Sequence, residues 1–176
     1  LCTIDFLDEV INAGVTVMKI EGRGKGPEYV KATVECYKEA VEAHYDGSYS
    51  QEKVDDWMFR LKEVYNRGFW SGYYLGQKLG EWNNTSGSKA TTRKIYLGKG
   101  QHYYDKIQVA EFKIEAYSLS VGDRVLITGP TTGAVETVVE EIHTDDGAAF
   151  EATKGQNCSF KLEVPIRASD KLYKIV

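Results

Sequence analysis

The spacing of apolar residues changes once along the chain, near residue 90, and this change limits the possible folds more than any other feature. Before it, apolar side chains recur every three or four positions, whereas from Arg93 onward they recur every second position. The first spacing is typical of helices packed on a core, and the second is typical of strands with one buried face. The sequence therefore predicts an α+β architecture, with a helical first half and a β-rich second half.

Three helices are predicted in the first half. The first begins at the N-cap Thr3 and ends at Gly14, and the second begins at Gly26-Pro27-Glu28, where proline fits the first helical turn. The third helix is predicted over residues 51–65, with Ser50 as its cap. The side chains expected to face the core are Val30, Val34, Tyr37, Val41 and Tyr45 of the second helix and Val54, Trp57, Met58, Leu61 and Val64 of the third.

A buried strand is predicted over residues 15–20, between the first two helices. A helix, a buried strand and a helix with short connections form the repeating unit of parallel α/β folds. One such unit cannot form a sheet by itself. Residues 1–48 are therefore interpreted as the C-terminal end of a TIM-like α/β barrel whose N-terminal catalytic part is missing from this sequence. Free strand edges on this remnant would favour a homo-oligomer.

The second half is predicted to form a small antiparallel β-barrel. Residues 49–90 are interpreted as a connector helix and an aromatic, glycine-rich loop, and residues 91–176 as the β domain. Six strands are expected near residues 94–97, 107–116, 123–127, 134–142, 158–164 and 171–175. Turn sequences such as Gly-Pro at 129–130 separate them. Short strands at this spacing predict closure into a barrel, because closure removes exposed edges.

Charge and cysteine content exclude several classes of protein. The net charge is −4, with 22 basic and 26 acidic residues, so bulk charge does not provide a nucleic-acid surface. The three cysteines are far apart in the sequence, which favours a reducing, cytoplasmic location over a disulfide framework. No apolar run reaches the roughly 18 residues that a membrane helix needs, so no membrane association is predicted.

Three charged residues stand at the end of the predicted strand. Lys19 and Glu21 alternate onto one strand face, and Arg23 follows on the loop. Because active sites of α/β barrels lie at the C-terminal ends of strands, these residues are candidate catalytic groups. The alternative is that Lys19 and Glu21 form an ion pair that only braces the barrel.

Glycines and aromatic residues alternate in the segment 66–82, which reads NRGFWSGYYLGQKLGEW. One interpretation is a loop packed by its own aromatic side chains, and the other is a lid or stacking surface for a ligand. In the second interpretation the candidate substrate-binding residues are Asn66, Arg67, Phe69 and Tyr73.

Two of these segments resemble a known family. The sequences LCTIDFLDEVINAGVTVMKIEGRGKGPEYV and NRGFWSGYYLG are similar to those of the collagenase-like peptidases of unassigned catalytic type, family U-32. The resemblance covers residues 1–76. The family usually has Met and Ser where this chain has Gly24 and Gly26, and loss of the serine weakens a helix cap without changing the assignment.

The resemblance implies a modified α/β barrel and two different activities. Some relatives are called collagenases or peptidases, and others resemble RNA hydroxylation factors that act on transfer or ribosomal RNA. Relatives in quinone hydroxylation carry an iron–sulfur cluster on four cysteines, and Cys2 matches the end of the family's Asp-Leu-Cys segment. Cys2 is therefore a candidate iron–sulfur ligand in a full-length parent, or else an ordinary buried cysteine. No cofactor is expected in this fragment alone.

The preferred functional prediction is a substrate-binding or supporting region of an RNA-modifying hydroxylation enzyme. The β domain adds to it, because LSVGDRVLITGPTTG and ATKGQNCSFKLEV resemble the barrel of translation factor domain two, which binds RNA or protein. The alternatives are a collagenase-like peptidase whose C-terminal barrel binds the peptide substrate, and a non-catalytic protein-interaction module. The sequence contains no His-Glu-x-x-His or Gly-x-Ser-x-Gly motif. The fragment alone is expected to be inactive.

Overall fold

The computed structural model describes residues 1–76 and 87–176, which form two compact units, Leu1–Thr91 and Thr92–Val176. We call these the helical unit and the β-rich unit. Residues 77–82 of the predicted aromatic loop lie outside the described residues. No helix in the described ranges is both long and apolar enough to cross a membrane.

The helical unit contains α1 (Leu7–Asn12), α2 (Pro27–Asp46) and α3 (Gln51–Glu63). The N-cap position of α1 is Phe6 rather than the predicted Thr3, whose backbone N–H instead donates to the Tyr37 hydroxyl at 2.9 Å. Proline is the first residue of α2, as predicted. Ser50 caps α3, as predicted, by accepting a hydrogen bond from the Lys53 backbone N–H.

The buried face of α2 differs from the predicted apolar stripe. Thr33, Cys36, Ala40 and Ala43 are buried, whereas Val30, Val34 and Tyr45 are exposed. Tyr37 and Val41 pack partly against the core, so two members of the stripe were correctly placed. Small side chains allow neighbouring helices to approach closely, and this geometric need outweighs the larger apolar area of valine. On α3 the prediction is confirmed for four of the five side chains, since Val54, Trp57 and Leu61 are buried and Met58 packs against them. Val64 lies just after the end of the helix and is half-buried.

The predicted strand over residues 15–20 is wrong for this chain. The segment has no strand assignment, and Val17 is 82% exposed. Gly14, with φ of 92°, turns the chain out of α1, and the segment then runs without a sheet partner. Strand structure needs a neighbouring backbone to satisfy its N–H and C=O groups, and the described part of the helical unit contains no strand.

The described part of the β-rich unit contains ten strands. Their bounds are β1 (Lys94–Tyr104), β2 (Val109–Ile114), β3 (Ser118–Ser120), β4 (Arg124–Gly129), β5 (Gly133–Val138), β6 (Ile142–Thr144), β7 (Gly147–Ala149), β8 (Glu151–Thr153), β9 (Asn157–Lys161) and β10 (Lys171–Ile175). Eight of them form a sheet in the order β5-β4-β10-β1-β2-β9-β6-β7, and β3 pairs with β8 in a second sheet. All these pairings are antiparallel.

The predicted closed barrel is not found among the described residues, because β5 and β7 end the large sheet without pairing with each other. The region predicted as one strand over residues 134–142 breaks after Val138 and resumes at Ile142. β7, which has only three residues, forms one end of the sheet. β5 forms the other end, and its outer edge has no partner strand among the described residues. A barrel needs a continuous ladder of paired strands around its whole circumference, and the missing pairing between β5 and β7 interrupts that ladder.

One core fills the β-rich unit. Phe112 of β2 and Phe160 of β9 stack at its centre, with ring centroids 5.1 Å apart and planes 11° from parallel. Asp170 is buried beside it and accepts hydrogen bonds from the Thr132 hydroxyl and the Arg167 backbone N–H. Only glycine fits at position 129, since a Cβ there would lie 1.8 Å from an Asp170 carboxylate oxygen. This carboxylate therefore joins the β4–β5 hairpin to the loop before β10.

Candidate functional site

The three candidate catalytic residues lie on the surface of the helical unit. Lys19, Glu21 and Arg23 are all exposed. The Glu21 carboxylate accepts a hydrogen bond of 2.7 Å from the Arg23 backbone N–H, which fixes a tight turn that continues through Gly24. In the described part of the chain, Lys19 and Glu21 form no ion pair with each other. Gly22, between Glu21 and Arg23, lies close to α2, since a Cβ at this position would lie 2.8 Å from the Val30 side chain.

A cleft of about 220 Å³ opens elsewhere in the helical unit, and it brings together four of the predicted site residues. It lies between the first residues of the chain, the first turns of α2 and the loop after α3. Its lining residues are Leu1, Cys2, Lys25, Tyr29, Thr33, Tyr37, Leu61, Val64, Tyr65, Asn66, Arg67, Gly68 and Phe69. We call it the α2–α3 cleft. None of the three candidate catalytic residues, and not Tyr73, is among its lining residues.

Asn66 shapes the loop that borders this cleft. Its side-chain amide donates to the carbonyls of Lys62 at 3.2 Å and Val64 at 3.1 Å, and its side-chain oxygen accepts from the Gly68 backbone N–H at 3.1 Å. The residue is only 9% exposed. Because its amide is already engaged, Asn66 holds Arg67 and Phe69 in place on either side of the turn.

Positive charge and aromatic rings characterise the α2–α3 cleft. Lys25 lies over the ring of Tyr65, with its Nζ atom 3.4 Å from the ring centroid. Arg67 is exposed, while Phe69 packs partly into the helical core. Lysine and arginine side chains beside aromatic rings make this cleft suited to a ligand with an anionic or carbonyl group and a flat or apolar portion.

Cys2 lies at the inner wall of the cleft. Its backbone N–H donates to the Trp70 carbonyl at 2.8 Å, and its sulfur accepts a hydrogen bond from the Tyr37 hydroxyl at 3.7 Å. Burial, followed by the nearby Cys2 thiol, raises the pKa of Tyr37 to about 12. In residues 1–76 and 87–176 no group of three or more His, Cys, Asp or Glu side chains is arranged to hold a metal ion. These residues do not assemble an iron–sulfur ligand set, and the role of Cys2 as one ligand in a longer protein stays a prediction.

The remaining cysteines are buried in the two cores. Burial raises the pKa of Cys36 to about 11 and that of Cys158 to about 12. Thiols with such pKa values remain protonated at neutral pH and behave as small apolar side chains.

Tyr73 lies in the part of the aromatic segment that is described. It is exposed, and its ring meets Trp70 edge to face with the centroids 5.1 Å apart. This contact supports the interpretation that the loop packs on its own aromatic side chains, while the exposed face of Tyr73 leaves the stacking role untested.

Lys25, Tyr29 and Tyr65 line the cleft but were not selected from the sequence. A signal was present, because Tyr29, Thr33 and Tyr37 recur every four residues and so share one helical face. Lys25 has no such pattern. Its position depends on the turn at Gly22–Lys25, in which the Lys25 N–H donates to the Gly22 carbonyl at 3.0 Å.

The fold and the cleft together define the class of protein. It is an α+β chain in which a helical unit with a cationic, aromatic cleft precedes an open antiparallel sheet. Comparison with known proteins then gives the family. The profile described as peptidase family U32 matches residues 1–84. The chain belongs to peptidase family U32, which confirms the resemblance seen in the sequence.

Relatives with two different names match almost the whole chain. A collagenase of Porphyromonas gingivalis is 51% identical over 174 residues, which is 99% of this chain and 42% of the relative. A tRNA hydroxylation protein of Bacillus subtilis is 24% identical over 173 residues, which is 97% of this chain and 41% of the relative. The chain thus spans about two fifths of the length of these curated relatives.

The chain is also similar to solved structures. The crystal structure of the C-terminal domain of a U32 peptidase from Geobacillus thermoleovorans is 23% identical, with a TM-score of 0.43, and the match covers 45% of this chain and 90% of that one.

Proposed function

We propose that this chain is the substrate-binding region of a collagenase-like peptidase. The observation that carries the proposal is the 51% identity to the Porphyromonas gingivalis collagenase, which extends over 99% of the chain and therefore includes the β-rich unit as well as the family-matched residues. The tRNA hydroxylation relative is 24% identical over a similar length. The higher sequence identity to the collagenase favours a peptidase over the RNA-modifying enzyme that was preferred from the sequence alone.

In this proposal the two units have different tasks. The α2–α3 cleft holds part of the peptide through Lys25 and Arg67, whose charges suit carboxylates or backbone carbonyls. The β-rich unit binds a further stretch of the same peptide. Lys19, Glu21 and Arg23 act in the full-length protein, where additional chain surrounds them. The segment 15–20, which has no strand partner among the described residues, supports this through its exposed Val17, because covering an exposed apolar side chain with further protein lowers the free energy.

The test compares Arg67→Ala with Asn66→Ala in the full-length protein. We expect Arg67→Ala to leave folding intact, since the residue is exposed, and to weaken binding of a gelatin peptide about threefold to tenfold. We expect Asn66→Ala to lower the free energy of unfolding by about 1–3 kcal/mol, because three hydrogen bonds between the buried Asn66 side chain and the backbone are lost. Binding is measured by fluorescence anisotropy and stability by urea denaturation.

Glu21→Ala separates binding from catalysis in the same protein. We expect gelatin cleavage to fall while peptide binding is unchanged. Gelatin that is neither bound nor cleaved by the wild-type full-length protein would contradict the peptidase proposal.

RNA modification is the second candidate, favoured by the tRNA hydroxylation relative and by the chemistry of the α2–α3 cleft. Lysine and arginine contact phosphates, and tyrosine rings stack on unpaired bases. The distinguishing measurement is nucleoside mass spectrometry of transfer and ribosomal RNA from cells that lack the full-length protein. A hydroxylated base that disappears, and that wild type but not Glu21→Ala restores, would establish this second function in place of the first.

A further inference from the structure

The β-rich unit has a free sheet edge beside a cleft. Strand β5 ends the eight-stranded sheet, with β4 as its one neighbour among the described residues. A cleft of about 400 Å³ lies between β5 and residues 161–164, which comprise the last residue of β9 and the three residues after it. This volume falls within the roughly 300–1,000 Å³ that is typical of ligand sites. We call it the β5 cleft.

Part of the backbone of β5 points away from β4, toward the free edge of the sheet. β4 and β5 pair in one regular antiparallel register, in which Arg124 lies opposite Val138 and Ile127 opposite Val135. The same register places Asp123 opposite Val139. The Val139 N–H donates to the Asp123 carbonyl at 3.0 Å, which makes this pair a hydrogen-bonded one. In an antiparallel ladder such pairs alternate with pairs whose N–H and C=O groups point outward. The outward groups of β5 therefore belong to Ala134, Glu136 and Val138, and of these the Val138 carbonyl accepts a long hydrogen bond of 3.4 Å from the Thr137 hydroxyl.

Apolar side chains line the β5 cleft beside this edge. Ile107, Val138 and Val164 are among its lining residues, and all three are exposed. An exposed apolar edge with free backbone groups is a template for another strand, and proteins normally shorten, cover or charge such edges. The edge of β5 is instead six residues long and bordered by a cleft.

The charge of the cleft determines which peptide suits it. Four glutamates, Glu136, Glu140, Glu141 and Glu163, line the cleft with a single lysine, Lys161. Glu136 is paired with Arg124 at 2.9 Å, and Glu141 lies 3.8 Å from His143. Within the described chain Glu140 and Glu163 form no ion pair, so both carboxylates are available to a cationic ligand.

We propose that an extended basic peptide binds as an added strand on the edge of β5, with its lysine or arginine side chains facing the glutamates of the β5 cleft. Backbone hydrogen bonds to Ala134, Glu136 and Val138 supply affinity, and charge complementarity selects basic over acidic sequences. The inference rests on the proposed substrate-binding function and assigns a place and a sequence preference to the peptide bound by the β-rich unit.

The probe is a fluorescein-labelled heptapeptide of alternating lysine and valine, which as a strand is about 23 Å long and matches the edge of β5. Its matched control carries N-methyl groups on all its backbone amide nitrogens, which keep the charge and block strand pairing through either edge of the peptide. A third peptide replaces lysine with glutamate. Anisotropy titration against the full chain should give binding to the first peptide that is at least about tenfold tighter than to either control.

Two variants of the chain locate the site. Val138→Pro removes an outward N–H, which an edge strand tolerates, and should weaken binding about tenfold. The double variant Glu140→Gln with Glu163→Gln should weaken binding about threefold to tenfold at low salt. The double variant Asp146→Asn with Glu151→Gln removes the same charge from exposed positions of the β-rich unit that do not line the cleft, and should bind like wild type.

Several results would overturn the proposal. Equal binding of the N-methylated peptide excludes strand addition, and this control does not depend on any variant folding. Equal binding of the acidic peptide means that the glutamates only keep the edge solvated. A wild-type dimer that Val138→Pro converts to monomer means that a second copy occupies the edge. If gelatin peptides bind but Val138→Pro has no effect, the proposed function stands and this site is wrong.

Discussion

The helical unit and the β-rich unit are stabilised in different ways. Of the twelve largest fully buried side chains in the described chain, Ile4 and Leu7 belong to the helical unit and the other ten to the β-rich unit. The helical unit packs small residues between helices and adds a polar network at its periphery, in which Arg60 binds the Glu39 carboxylate with two hydrogen bonds of 2.6 and 2.9 Å.

The two units also differ in what each leaves uncovered. The helical unit exposes the valines and methionine of residues 15–18 and the outer valines of α2. The β-rich unit encloses its core, and its longest terminal strand, β5, has an edge with no partner strand among the described residues. Exposed apolar side chains are what further folded protein would cover in the proposed function, whereas a free strand edge can pair with a single extended chain.

The largest effect is expected in the core of the β-rich unit. Phe112→Ala should lower its free energy of unfolding by about 3–5 kcal/mol, because a stacked, fully buried ring is replaced by a cavity. Urea unfolding is followed by circular dichroism and by tryptophan fluorescence, which reports the helical unit because Trp57, Trp70 and Trp82 all precede residue 92.

The control for this substitution is Phe59→Ala on α3. Phe59 is exposed, so its removal should change stability by less than about 0.5 kcal/mol. A tryptophan transition that shifts as far as the circular dichroism transition in Phe112→Ala would mean that the two units unfold together, and the contrast between them would fail.

An intermediate effect is expected from the polar network of the helical unit. Hydrogen bonds from Arg60 and then Trp57 hold the pKa of Glu39 below its usual value. A carboxyl whose pKa is lowered by folding stabilises the fold above the pKa of the unfolded chain, and this contribution is lost as the pH falls through the folded-state pKa. Stability of the helical unit should therefore decline as the pH falls below the unfolded value of 4.5.

Glu39→Gln should remove this part of the pH dependence and cost about 1 kcal/mol at neutral pH. The measurement is the urea midpoint of tryptophan fluorescence between about pH 3 and about pH 7. Glu42→Gln is the matched control, since Glu42 on the same helix makes an exposed ion pair with Lys38 at 3.7 Å. Identical pH profiles for the two variants would show that the network around Arg60 contributes nothing particular.

The smallest effect is expected in the segment that was predicted as a strand. Val17→Ser should change the free energy of unfolding by less than about 0.5 kcal/mol, because Val17 is exposed in this chain. Val125→Ser, in the buried interior of β4, should cost several times more. A loss above about 1 kcal/mol for Val17→Ser would mean that residues 15–18 pack in solution.

Local sequence signals predicted the three helices and most of the longer strands. Pro27 at the first turn of α2 and Ser50 before α3 mark helix starts through backbone chemistry that involves only neighbouring residues. The buried face of α2 was harder to predict, because Ala40 and Ala43 are selected by the closeness of another helix rather than by their own hydrophobicity.

The candidate site shows the same limit. The loop residues Asn66, Arg67 and Phe69 were selected from their types, and they do border a cleft together with Cys2. Lys19, Glu21 and Arg23 were grouped by strand alternation, and that grouping depended on a sheet that the described residues do not form. Lys25 was missed because its place depends on a turn and on the distant ring of Tyr65.

The sequence by itself determined the order of elements, the change from helical to β structure near residue 90 and the family to which the chain belongs. These depend on periodicity, turn chemistry and motifs, which short segments carry. Only the tertiary structure decided that residues 15–20 lack a strand partner, that the sheet stays open at β5, and that the α2–α3 cleft gathers residues from three separate segments. Each of these depends on which distant backbone groups meet, and no local pattern specifies that.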